Sequence, residues 1–100
     1  MADLIVVYWR DIPAQVKVRA GRERGAAQCS QRFQDAIDAA AMRAGLIGTD
    51  DYLAEWRTGD GLEREGAPDA VAQTAAAELE AAYSDERLRA LIANGGREAS

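Results

Sequence analysis

Leu4-Ile5-Val6-Val7-Tyr8-Trp9 is the longest wholly apolar run in the chain, and all but Leu4 are β-branched or aromatic. Such a run predicts a strand buried on both faces. Arg10-Asp11-Ile12-Pro13-Ala14 interrupts it. Pro13 has no N–H and holds Ile12 extended, which predicts a turn or bulge. In the next stretch Val16, Val18 and Ala20 alternate with Gln15, Lys17 and Arg19, the period of a half-buried strand with one wet face. The two runs predict an N-terminal β-hairpin, about 4–10 and 15–20.

From there the period changes. Gly21-Arg22-Glu23-Arg24-Gly25 reads as a polar loop. Cys29, Phe33, Ile37, Ala40, Ala41 and Ala44 then fall at helical spacing, predicting a helix over about 26–44 that stops at Gly45. Leu46 and Ile47 are expected to tuck the exit chain onto the core. A short helix over about 51–57 follows, capped by Thr49 or Asp50 and carrying Tyr52, Leu53 and Trp56. Thr58 to Gly66 holds Gly59, Gly61 and Gly66 among charges and reads as a mobile loop. Pro68 suits a helix first turn, and Val71, Ala75, Leu79, Ala82 and Tyr83 form a narrow stripe over 68–83. Ser84-Asp85-Glu86 is a fresh N-cap with acids behind it, so a last helix runs over about 85–94 with Leu88, Leu91 and Ile92.

The prediction is therefore a single α+β domain over 1–100, ordered β-β-α-α-α-α. A lone two-stranded hairpin is marginal. A first strand apolar on both faces needs more neighbours than one hairpin offers. A hidden third strand, a second copy or a partner protein could extend the sheet, and a homodimer through the hairpin is one outcome.

Composition narrows the chemistry. The chain contains no histidine and one cysteine. It therefore offers no histidine base, no His-ligated metal, no intrachain disulfide and no thiolate cluster. No metal or other cofactor is expected. Of 100 residues 22 are alanine, so a core is possible but lean. No apolar run approaches the roughly 20 residues of a membrane helix. The first residues, Met1-Ala2-Asp3, lack the pattern of a secretory leader. Cys29 in a helical pattern suits a reducing cytosol and reads as a small buried hydrophobe, so a cytoplasmic location is expected.

The net charge of −5 is uneven. Residues 1–32 hold six basic groups against three acidic, and residues 33–100 hold six against fourteen. Lys17, Arg19, Arg22 and Arg24 form a basic patch that either faces a charged partner or is simply solvated. The overall acidity disfavours nucleic acid.

Two aromatic–basic adjacencies stand out as candidate binding residues: Tyr8, Trp9, Arg10 and Asp11, and Trp56 with Arg57. A ring beside a guanidinium can stack a planar ligand or pair with a carboxylate. The competing reading makes Trp9 and Trp56 core, pairs Arg10 with a nearby acid and lets Asp11 accept N–H groups in the turn. Asp35 and Asp38 lie at i, i+3, but solvated helix faces account for such acids. There is no phosphate-loop pattern and no Ser or Thr beside a plausible base, so no catalytic residue is assigned.

Leu4–Val16 (LIVVYWRDIPAQV), Gln31–Gly45 (QRFQDAIDAAAMRAG), Asp50–Arg57 (DDYLAEWR) and Ala77–Gly96 together resemble a small bacterial "virulence factor" domain family, over nearly the full length. The match departs at Lys17, where the family more often has a hydrophobic residue. The family name describes no biochemistry. Its members tend to be encoded beside methylenetetrahydrofolate reductase and parts of a split, corrinoid-dependent methionine synthase. The resemblance implies a non-catalytic accessory or scaffold protein in folate- and corrinoid-linked methyl transfer, with protein partners from that chemistry. A corrinoid carrier usually supplies a histidine below the cobalt, and this chain has none. A small folate-like binding domain around Trp9, Arg10 and Trp56 is one alternative. A nucleic-acid-binding regulatory module using the basic patch is another.

Overall fold

A computed structural model describes residues 2–46, 48 and 50–98. Three strands open the chain: β1 (Ala2–Trp9), β2 (Ile12–Ala20) and β3 (Glu23–Gln28). Then come α1 (Gln31–Ala44), α2 (Asp50–Ala54), β4 (Trp56–Thr58), β5 (Leu62–Arg64), α3 (Pro68–Ala82) and α4 (Asp85–Ala93). The class is α+β, with the expected N-terminal hairpin and four helices.

All strand pairings are antiparallel, in the order β3-β2-β1-β4, with β5 on the same edge of β1 as β4. β1 is thus central. Trp9, Tyr8 and Val7 pair with Trp56, Arg57 and Thr58, while Leu4, Asp3 and Ala2 pair with Leu62, Glu63 and Arg64. The two short strands are one edge strand with an extra residue at Gly59-Asp60-Gly61, and Gly59 N–H still donates to Val6 O at 2.8 Å. The segment expected to be a mobile loop therefore carries strand at Thr58 and at Leu62–Arg64. The sheet also needs no second copy to shield its first strand, because this chain supplies neighbours on both edges.

Three further boundaries differ from the sequence-based expectation. The first helix begins at Gln31, not at about 26, because Glu23–Gln28 is a third strand. Its Gly25-Ala26-Ala27 centre has no β-branched residue to announce it. The small side chains are needed there, since a Cβ on Gly25 would lie 2.5 Å from the Pro68 carbonyl carbon of α3. The second helix ends at Ala54, and Trp56-Arg57 belong to β4. The hairpin turn is two residues long, Arg10-Asp11. Pro13 lies inside β2 beside a bulge at Ala14, where its missing N–H costs no ladder bond.

The caps behave as the sequence suggests. Gly45 closes α1 in the left-handed region at φ 74°, and Ser84 Oγ accepts the Arg87 N–H at 3.1 Å at the start of α4. Ser30 precedes α1, but its own N–H donates to Glu80 Oε1 at 2.8 Å, which ties α1 to α3. Arg32 adds contacts to Glu80 Oε2 at 3.1 Å and to the Glu80 carbonyl at 2.8 Å. Leu46 packs on the core as expected. Ile47 and the candidate cap Thr49 lie outside the described residues.

The core is divided between the two ends of the sheet. Ala2, Leu4, Val16 and Val18 pack against Val71, Ala72, Ala75 and Ala76 of α3. The alanine face lets this helix approach closely, so a lean composition still fills space. At the other end Trp9 and Ile12 pack with Phe33, Ile37 and Ala40 of α1, with Tyr83, and with Leu88 and Leu91 of α4. Leu79 touches both groups.

The approach of α3 gives a direct test. Gly25→Ala should lower stability by about 1–3 kcal/mol through overpacking against fixed backbone. That corresponds to a fall in Tm of roughly 5–15 °C. Gly61→Ala, with open space around it and no positive φ, should leave Tm nearly unchanged. Equal melting curves for both variants would contradict the packing described.

Candidate functional site

β1 and β4 bring the six candidate binding residues together, since Tyr8 pairs with Arg57 and Trp9 with Trp56. Trp9, Arg10, Asp11 and Arg57 make side-chain hydrogen bonds within the chain. Trp9 is fully buried, and its Nε1–H donates to the Tyr52 carbonyl at 2.9 Å. The Trp9 and Tyr52 rings lie 5.5 Å apart, and Trp56 meets Tyr52 edge-on at 6.3 Å. Trp56 is half-buried and borders an open recess of about 330 Å³ with Gln15, Gln28, Cys29, Gln31 and Gln34.

Arg10 occupies the first turn position with φ 52°, the left-handed region that turns usually give to Gly. Contacts on every side hold it there. Its N–H donates to the Glu55 carbonyl at 3.1 Å and its Nη1 to the Gly95 carbonyl at 2.9 Å. Its Nε lies 3.1 Å from Glu55 Oε2, a charge contact without hydrogen-bond alignment. Asp11 N–H donates to the Gly96 carbonyl at 2.8 Å, and Asp11 Oδ2 accepts the Glu98 N–H at 2.7 Å. Asp11 Oδ1 also pairs with Arg57 Nη2 at 3.2 Å, while Arg57 Nε donates to the Arg10 carbonyl at 2.9 Å. The hairpin turn thus clamps the chain after α4.

Further aromatic–guanidinium contacts line the rim. Arg57 lies 4.5 Å from the Tyr8 ring centre, and Arg87 lies 3.9 Å from that of Tyr83. Burial raises the Tyr83 phenol pKa, against the opposing effect of Arg87. Arg87 Nη2 pairs with Glu98 at 2.7 Å, a hydrogen bond that raises the guanidinium pKa further. Burial works to raise the Glu80 carboxyl, but Ser30 N–H and Arg32 outweigh it and hold the pKa low.

Sequence reasoning did not find Glu55, Gly95, Gly96 and Glu98 as partners of the Tyr8–Asp11 motif. The doubled glycine after α4 was the available signal, read only as a helix stop. Both glycines have positive φ, 69° and 95°. A Cβ on Gly96 would lie 2.7 Å from Trp9 Cζ3, so this backbone is the lid on the tryptophan.

Lys17, Arg19, Arg22 and Arg24 are all exposed. Lys17, Arg19 and Arg24 share one face of the sheet, while Arg22 is in the β2–β3 turn. None of the four takes part in an ion pair among the described residues. Asp35 and Asp38 accept hydrogen bonds from Gln31 and Gln34 one turn back. Among the described residues no helix is long and apolar enough to cross a membrane.

With this geometry in view, comparison with known proteins is informative in one respect. The model of the family described as Virulence factor matches residues 7–92, a span that includes Tyr8–Asp11, β2, β3, α1 to α3 and all but the last residue of α4. The chain belongs to the Virulence factor family. No match was found among curated proteins or among solved structures. Within this family member the match begins at Val7, just before the Tyr8–Asp11 clamp.

Cys29 sits between β3 and α1, half-buried, outside the helix in which it was expected. Burial, and then the Glu80 carboxylate, raise its pKa from 9.0 to about 11, with Arg32 opposing. The thiolate at neutral pH is then on the order of 100-fold scarcer than in the unfolded chain.

Two outcomes are expected. Gly96→Ala should cost about 2–4 kcal/mol, from a left-handed residue pressed on a buried ring. It should also red-shift tryptophan emission, and an unshifted spectrum with native Tm would contradict the lid. Cys29 should alkylate at pH 8 at least ~10-fold more slowly folded than in denaturant. Because the folded pKa is the higher one, stability should fall as pH rises from 9.0 towards about 11, where the unfolded thiol ionises first. Stability flat over that window in a protein with Cys29 intact, relative to Cys29→Ala, would contradict the shift.

Proposed function

We propose that this Virulence factor family member is a non-catalytic accessory protein that acts through protein contacts, in the cytoplasm, in folate- and corrinoid-linked methyl transfer towards methionine. One observation supports the contact role above the rest. The aromatic–basic residues that could have formed a ligand pocket, Trp9, Arg10, Asp11 and Arg57, make their polar contacts within the chain. The outward-facing resource is instead an exposed sheet face carrying cations without ion-pair partners among the described residues.

The pathway part of the reading rests on the family. Relatives tend to be encoded beside methylenetetrahydrofolate reductase and a split corrinoid-dependent methionine synthase. A chain without histidine cannot supply the usual lower ligand to cobalt, so the role is beside the corrinoid protein rather than in its place. Holding a methyltransferase against its corrinoid partner, or assisting reactivation of the cobalt centre, needs surfaces more than a deep pocket.

Deletion of the gene in its host should produce a methionine requirement that the wild-type gene relieves. Affinity purification of the tagged protein should recover a folate or corrinoid enzyme. Prototrophic growth of the deletion strain together with an empty purification would sink the reading.

A further inference from the structure

The face of the sheet opposite α3 forms a ladder of paired rows. The first row runs Glu63, Asp3, Arg19, Arg24 across β5, β1, β2 and β3. The second is Ile5, Lys17, Ala26, and the third is Thr58, Val7, Gln15, Gln28. Residues paired across antiparallel strands share a face, with Cβ atoms only ~5 Å apart. The first row therefore places two carboxylates side by side and two guanidinium groups side by side, with Asp3 opposite Arg19 where the two halves meet. Like charges directly opposite destabilise a sheet. None of these four residues forms an ion pair among the described residues. The basic half, with Lys17, rims an open concavity of about 650 Å³ whose floor includes half-buried Ile5 and exposed Ala26, and which Asp3 and Asp69 also line.

We infer that this face docks an acidic, amphipathic helical segment of a partner protein, with carboxylates over Lys17, Arg19 and Arg24 and apolar residues on Ile5, Val7 and Ala26. The inference rests on the reading that the chain works through protein contacts, and it adds the surface and the chemistry of the partner. Charge complementarity commits the choice. Lys17, Arg19 and Arg24 outnumber Asp3 and Asp69 at the concavity, and none of the three cations has an ion-pair partner among the described residues, which favours an anionic surface.

A polyphosphate fits less well. The first row also carries Asp3 and Glu63, and the three rows contain no aromatic ring on which bases could stack. A second copy fits less well too. A twofold axis along the strands would lay Glu63 and Asp3 over Arg24 and Arg19 of the other copy. The same axis keeps like ends together. At that end Trp9 and Trp56 are covered by α1 and α2, so the helices of the two copies would meet before the sheets did. A single partner helix in the recess meets no such obstacle, and recognition of a helix by apolar anchors and rim charges is a common mode.

The test uses the whole chain and a 16-residue helical peptide with Leu along one face and Glu on the flanks. Its counterpart with Lys for Glu is the control. Backbone amide shifts should localise to Ile5, Val7, Lys17, Arg19, Arg24 and Ala26 with the Glu peptide, and binding should weaken at least 10-fold from 50 to 300 mM salt. Arg19→Glu with Arg24→Glu should abolish Glu-peptide binding and gain binding to the Lys peptide, at a temperature where its amide spectrum shows it folded. That gain of function separates a lost contact from a lost fold. Equal binding of both peptides, shifts located elsewhere, preference for a uridine 16-mer, or self-association through these residues would each overturn the inference. Loss of peptide docking with the methionine requirement intact would overturn this face alone. Intact docking without a methionine requirement would overturn the pathway alone.

Discussion

Everything else in this fold follows from the position of β1. A strand carrying Leu4, Ile5, Val6, Val7 and Trp9 has apolar groups on both sides and a backbone whose polar groups need partners along both edges. β2 satisfies one edge through the hairpin. The other edge is satisfied by a segment 47 or more residues later in sequence, split into β4 and β5. The bulge at Gly59-Asp60-Gly61 lets one short segment serve both ends of an eight-residue strand without matching its twist throughout. Once β1 is central, α3 lies across one face, and the Trp9 end must be closed by α1, α2 and the chain after α4.

That closure explains the Tyr8–Asp11 motif. Burying Trp9 at the end of a strand, next to a two-residue turn, leaves indole N–H and turn backbone in need of partners. Tyr52 O takes the indole proton, and Gly95 and Gly96 carbonyls take donors from Arg10 and Asp11. Arg10 tolerates a left-handed backbone because its guanidinium and N–H contacts are available only in that position. The strain and the clamp are two aspects of one arrangement.

What was legible in the sequence and what was not divides along physical lines. The helices were visible because Ser84, Pro68 and Gly45 punctuate apolar stripes at helical period. The hairpin was visible because β-branched residues crowd into positions 4–9 and alternate in 15–20. β3 was hidden because α3 packs so closely that Gly25 and Ala27 replace the usual branched residues, and a Gly-Ala run followed by a helix looks like that helix's start. β5 was hidden because its Leu-Glu-Arg lies between glycines, and pairing to β1 rather than its own composition makes it a strand. The six candidate binding residues were recognisable as a group. Their partners were not, because contacts such as Arg10 to Gly95 join positions 85 residues apart and leave no local pattern.

The two classes of basic residue therefore do different work, and their surroundings separate them. Arg10, Arg32, Arg57, Arg64, Arg87 and Arg97 each face a carboxylate within 3.3 Å and connect elements of the fold. Exposed pairs of this kind contribute little energy singly, but together they fix the positions of the tail, the turn and the helix ends. Lys17, Arg19 and Arg24 stand on a sheet whose other side is already packed, and none of them has an ion-pair partner among the described residues. Asp3, opposite Arg19, and Asp69 of α3 line the same concavity without pairing with any of the three. Arg19 also lies directly opposite Arg24, an arrangement that costs stability and that an anionic surface would offset.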